Sequence, residues 1–422
     1  MALRRFWHAY ALVAFALTLF FAHLVFGPGG DAPFARNKAV DFGAFYSGAT
    51  IVWQGDGRDV GNISVQRATQ ARIQAREATG WNWYNSLPHP PVVSLLDAPL
   101  AALSLRTAFW VWTALGLAAA ITAVWLLAST FCQPIAVAAA VILLGFEPIW
   151  DVAWWGQLDS FILLPVAAGC VLLIRRPTPR RDFAAGLLLG ALALKPIFVP
   201  IPLVALAWGR RRAVYGMIVT SLTLAGVSVA MVGRQGMSDY VSLARRYQQF
   251  TGAPFVVEWR MYNLRGMAIR LGLGADNSTR FWLVLVTSVV LGLLTAILAG
   301  RALAANHSPD LAISALMLGM FLTAYHTHVQ SLVFATIPLA VALGRSLRAR
   351  TWHGAGAWAA VFLAIHSGAA LLRPARPAPP NATSLETFLT SCFLVLLVVL
   401  ILLLLRPLPT SQFRHAERTR SI

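Results

Sequence analysis

Hydrophobic residues in this chain run in long uncharged blocks rather than in amphipathic stripes. Blocks approaching 20 residues are what a helix needs to cross a hydrocarbon layer roughly 30 Å thick. They fall at about 6–26, 108–129, 134–149, 158–174, 213–232, 281–300, 311–324, 328–344, 352–372 and 385–405. Between the arginine clusters at Arg180 and Arg210 lies a further apolar stretch, broken by Lys195-Pro196. Both flanks are basic, so this stretch has to go out and return, and two short helices meeting at Lys195-Pro196 satisfy that. The pattern predicts an all-α polytopic membrane protein of about twelve transmembrane helices. Residues 88–106 are apolar too, but hold Asp97 and Pro99. Counting spans puts both ends of that stretch outside, which predicts a re-entrant or surface element.

Two longer polar interruptions, about 28–107 and 233–280, fall on one side. They are expected to form the working face of a single domain spanning 1–422. The first carries Asp41-Phe42-Gly43-Ala44-Phe45-Tyr46, just past the break Gly27-Pro28-Gly29-Gly30. Phe42, Phe45, Tyr46, Ala49 and Val52 recur at helical spacing. That predicts a short helix lying in the bilayer surface on one apolar face, holding Asp41 at headgroup depth. A turn at Gly55-Asp56-Gly57, a polar helix over 64–78 and a rigid Pro88-His89-Pro90-Pro91 follow.

Composition sharpens the class. Of the 422 residues, 58% are hydrophobic and 12% charged, where a soluble domain carries about 25% charged. The net charge of +18 would suit nucleic acid, but its placement does not. Arginines gather in short connections at 175–176, 180–181, 210–212 and 345–350, and at both ends of the chain. This is the positive-inside pattern, so the expectation is no nucleic-acid partner, cytoplasmic termini and a multi-pass protein of the plasma or inner membrane. The first block, following Arg4-Arg5, reads as a signal anchor. Asp41, Asp56, Asp59, Asp97, Glu147, Asp151, Asp159 and Glu258 then fall at the outer side, and any chemistry is expected there. The three cysteines show no metal spacing. No P-loop, GxSxG or zinc motif is present, and no internal repeat supports a transporter built from inverted halves.

Four stretches can carry chemistry, each with a plainer alternative. Asp41 is a helix cap or solvated charge, or a general base taking a proton from a hydroxyl. Trp154-Trp155-Gly156-Gln157-Leu158-Asp159 is an aromatic belt with a cap, or a sugar site in which indoles stack and Gln157 and Asp159 bind hydroxyls. Lys195 snorkels, or meets a phosphate at the tip of its hairpin. Tyr325-His326-Thr327-His328 is interfacial capping, or a set of hydroxyl and phosphate contacts. On a helix, His326 and His328 would point apart, a poor metal spacing. His89 and Tyr46 offer further polar contacts, and Asn263 with Arg265 offers phosphate donors.

Taken together, these stretches resemble glycosyltransferase family 87 of the GT-C superfamily. The matching pieces are Asp41-Phe42 with Tyr46, Pro90-Pro91 before Ala98-Pro99-Leu100, Gly156-Gln157, Lys195-Pro196, and Tyr325-His326 with His328. Departures occur at Pro88-His89, where the family often has tyrosine, at Leu158-Asp159, and at Tyr262-Asn263-Leu264. The resemblance implies transfer of a sugar, mannose or another hexose or pentose, from a polyprenyl-phosphate carrier to a glycolipid or glycan acceptor on the outer face. It implies inversion with Asp41 as base. Lys195, Arg265 and His326 or His328 would hold the leaving phosphate. No metal or other cofactor is expected. The rival readings are a flippase for a lipid-linked sugar and a non-catalytic subunit of an envelope glycan complex.

Overall fold

The computed structural model describes residues 2–26, 40–77, 84–133, 135–246, 261–270, 279–324 and 326–349. Every regular element among them is helical. Three helices are individually long and apolar enough to span: α5 (Leu105–Phe131), α11 (Arg211–Arg245) and α13 (Thr279–Ala304). A fourth run, Val329–Leu347, joins a 3-10 turn to α15 (Thr336–Ala349). The tally is therefore four spans among the described residues, or five with one bent pair. The expectation of about twelve is met no further than that. Its blocks at 352–372 and 385–405 lie outside the described residues.

Three expected boundaries move. The block 134–149 is not one straight helix. It is α6 (Ala136–Leu144) followed by α7 (Glu147–Trp155), bent by 51°. Pro148 in the first turn of α7 cannot donate back into α6, so the helix restarts there. Helix α11 does not stop at 232 but runs to Arg245 across a kink at Gly233, whose φ of 66° and ψ of −173° only glycine adopts freely. The second long polar interruption, 233–280, thus begins as helix.

The third change concerns α2 (Val40–Trp53), the helix that opens with Asp41. It does not lie on a surface with one face covered. Phe42, Ala44, Phe45, Tyr46, Ser47, Ala49 and Ile51 are all buried. The side opposite Phe42 and Phe45 is built from small or apolar residues, so α2 has no polar face to keep in water. It is enclosed by α3 (Ile63–Glu77), α4 (Val92–Asp97), the 3-10 turn Ala98–Ala102, α5 and α7.

Two other expected elements have the expected form. α4 and its turn are too short to cross, and Ser104 starts α5 by accepting a hydrogen bond from Thr107 N at 3.3 Å. α9 (Pro179–Leu189) and α10 (Pro200–Gly209) are two short helices. Two 3-10 turns join them at Lys195, whose φ of −128° and ψ of 80° lie outside the helical region that a following proline disfavours. α1 (Ala2–Phe26), α8 (Asp159–Ile174), α12 (Leu264–Arg270) and α14 (Pro309–Thr323) complete the described α-helices.

Candidate active site

The site is built on the end of α7. Gly156 N donates to Ala153 O at 3.3 Å and Gln157 N donates to Val152 O at 2.9 Å. That is a Schellman stop, with Gly156 left-handed at φ 65°. A Cβ at Gly156 would lie 2.6 Å from the Cβ of Phe42, so glycine also lets α2 come close. Trp112 Nε1 donates to Gly156 O at 3.0 Å and pins the turn to α5. The turn throws Gln157 toward α2, and Asp159, two residues on, opens α8 in the other direction.

Gln157 Nε2 donates to Asp41 Oδ2 at 2.6 Å. Asn85 Nδ2 donates to the other oxygen, Asp41 Oδ1, at 2.8 Å. Two neutral amides therefore grip the carboxylate, one per oxygen. Asp159 is fully buried and meets a different set. Lys195 Nζ donates to its Oδ2 at 2.6 Å, and Ser331 Oγ donates to its Oδ1 at 3.2 Å. The tripeptide 157–159 thus touches the acid with one end and the lysine with the other.

Electrostatics tie the same groups together. Burial pushes the Asp41 pKa up from 3.8 to about 6, against the pull of Gln157, Asn85 and the Lys195 charge, while Asp151 adds to the rise. Burial, then Lys195, holds His89 neutral, its pKa down to about 3. His326 is held well below the ordinary histidine range by burial, then by His328, Lys195 and Arg265. One ammonium is felt at Asp41, His89 and His326, which come from three distant parts of the chain.

The remaining expected residues are placed as follows. The ring of His89 packs on Phe45 at 4.8 Å between centroids. His326 and His328 do not diverge, because their stretch is not helical. Their rings meet edge to face at 4.4 Å. Arg265 is buried, and near enough to His326 to depress its basicity. Asn263 spends its amide on main chain, donating to Ala324 O at 2.8 Å and accepting from Gly266 N at 2.8 Å. Tyr46 points away from Asp41, donating to Leu103 O at 2.6 Å. Tyr325 lies outside the described residues. Asn85 and Ser331 were not anticipated. A cavity of about 580 Å³ along α11, lined by Arg234, Ser238, Ser242 and Arg245 among others, shares no residue with this cluster.

A helical membrane protein with a gripped acid beside a paired lysine is the class that fold and cluster define. The model of glycosyltransferase family 87 matches residues 88–325, more than half of the chain. The protein belongs to that family and is a membrane glycosyltransferase. Gln157, Asp159, Lys195, Asn263 and Arg265 lie within the match, while Asp41, Asn85, His326 and His328 lie outside it. Comparisons with curated proteins and with solved structures give no match.

Proposed function

We propose that the enzyme transfers a sugar, with mannose the first to test, from a polyprenyl phosphate to a hydroxyl acceptor on the outer face of the plasma or inner membrane, in one inverting step. The observation that carries this reading is the 157–159 bridge. It sets a carboxylate with a near-neutral pKa and a lysine in one cluster, as a proton acceptor and a phosphate partner must be set.

Asp41 takes the proton of the acceptor hydroxyl as that oxygen attacks the anomeric carbon. The bond from this carbon to the phosphate oxygen breaks, and the electron pair leaves with the polyprenyl phosphate. A base works best with a pKa near the working pH, and burial moves Asp41 in that direction. Lys195 gives one of its three N–H groups to Asp159, which leaves two to donate to the leaving phosphate in this scheme. Negative charge grows on that phosphate in the transition state, so a fixed cation there lowers the barrier. Arg265 stands in the same electrostatic neighbourhood, through His326. Neutral His89 and His326 offer hydroxyl contacts without adding charge. The scheme calls for no metal.

The test is turnover by the purified protein in vesicles, with radiolabelled polyprenyl-phosphate mannose and membrane glycolipid as acceptor. A labelled glycolipid whose anomeric configuration is opposite to the donor's, read by NMR, is the expected product. Retained configuration would remove the single-step mechanism. Transfer of labelled donor across the vesicle with no glycosidic product would favour a flippase.

A further inference from the structure

We infer that Gln70 is a positioning residue for Asp41, acting through the main chain of Asn85. Helix α3 is polar along its length, yet two of its glutamines, Gln66 and Gln70, are buried. They stand four apart, on one face. A buried primary amide is costly unless its donors and acceptor are met. Here both acceptors, and one donor of Gln70, are met by a segment without helix or strand of its own, residues 84–87.

Gln70 Oε1 accepts from Asn85 N at 3.0 Å, and Gln70 Nε2 donates to Asn85 O at 2.5 Å. The side chain thus holds both main-chain groups of one residue, as a neighbouring strand would. The same Nε2 lies 3.3 Å from Ser47 Oγ on α2. Gln66 fastens the flanks, accepting from Tyr84 Oη at 2.6 Å and Leu87 N at 3.2 Å, and donating to Val60 O at 2.6 Å. Gln70 therefore fixes the strap against α2, and Asn85 Nδ2 reaches Asp41 from that strap. Remove Gln70 and the amide that favours the carboxylate loses its registration.

The charged groups felt at Asp41 are Lys195 and Asp151. On α3 itself, Arg76 is engaged with Tyr46 and Glu77, and Arg72 with Thr69. Gln70 thus acts on Asp41 by position, not by charge.

The inference rests on Asp41 as the base only in its effect on turnover, so its test reads the carboxyl directly. Infrared difference titration of the protein in vesicles follows the protonated Asp41 band, identified by its loss in Asp41→Asn. In Asn85→Ala the midpoint is expected to rise by about half a pH unit or more, since a hydrogen bond to the charged form is lost. Gln70→Ala is expected to raise it too, and the double variant to match Asn85→Ala alone, because both act through one contact. Gln70→Met keeps the bulk of the side chain, adds no charge and lacks the amide; it is expected to raise the midpoint as well, which preserves the test if Gln70→Ala does not fold. An unmoved midpoint in Gln70→Met and in a folded Gln70→Ala, or additive shifts in the double variant, would overturn the inference. Full turnover in Asp41→Asn would instead end the base assignment and leave the titration result standing.

Discussion

Two carboxylates flank one tripeptide, and their surroundings differ in kind. Asp41 is held by the amides of Gln157 and Asn85, whereas Asp159 is held by the Lys195 ammonium and the Ser331 hydroxyl. Neutral amides orient an oxygen without cancelling its charge, so Asp41 keeps its need for a proton. An ammonium cancels the charge, so Asp159 serves as an anchor for the lysine. Partners that differ in this way suit the two acids to different work. On the proposed mechanism, one acid does chemistry and the other keeps a cation in place.

Substitution is the sharpest way to break that contrast. Asp41→Asn is expected to lower kcat by about 10³-fold, within the range for a lost general base, with donor binding retained. Asp159→Asn is expected to act first on folding. It strands a nearly buried lysine, a loss of about 3 kcal/mol in stability, read by thermal unfolding in detergent. Equal effects of both variants on stability, or on kcat alone, would erase the distinction. Gln157→Leu comes next. It removes one of the two amides on Asp41, leaves the anchor alone, and is expected to cost about tenfold in kcat/KM and raise the acidic limb.

The pH dependence of stability sharpens the comparison further. The pKa of Asp41 is raised in the fold, so its ionised form is the disfavoured one. Its contribution to stability is present in full below about pH 4 and is lost as pH rises through about 6. Unfolding temperatures of wild type and Asp41→Asn are therefore expected to differ between pH 5 and pH 7 in favour of the variant at the higher pH. A constant difference across that window would contradict it. The smallest effect belongs to Ser331→Ala, about 1 kcal/mol of stability, because Lys195 still holds Asp159.

Much of this arrangement could be read from the chain before the fold was known, and the rest could not for physical reasons. Asp41 follows a Gly/Pro break, Gly156-Gln157 stands between two apolar blocks, and Lys195-Pro196 punctuates an apolar run. Each is a local signal, and local signals survive into structure. Asn85 carries none. It sits in an aperiodic stretch and gains meaning only from a partner 44 positions away. Ser331 is likewise joined to Asp159 across 172 positions. The buried pair Gln66 and Gln70 was a signal of a kind, because two amides at helical spacing among arginines can turn one face inward. The surface placement expected for α2 went astray because an apolar helix face says only that something covers it. In this protein the cover is protein on both faces from Phe42 to Ala49, and only the end of the helix at Trp53 is exposed.

The claim that Asp41 takes the acceptor's proton is tested most directly by the pH dependence of kcat/KM, measured with radiolabelled polyprenyl-phosphate mannose for wild type, Asp41→Glu and Asp41→Asn. Wild type is expected to lose activity below a single ionisation near pH 6, the limb to persist in Asp41→Glu at reduced rate, and the residual rate of Asp41→Asn to lack it. The same limb at undiminished rate in Asp41→Asn would contradict the account.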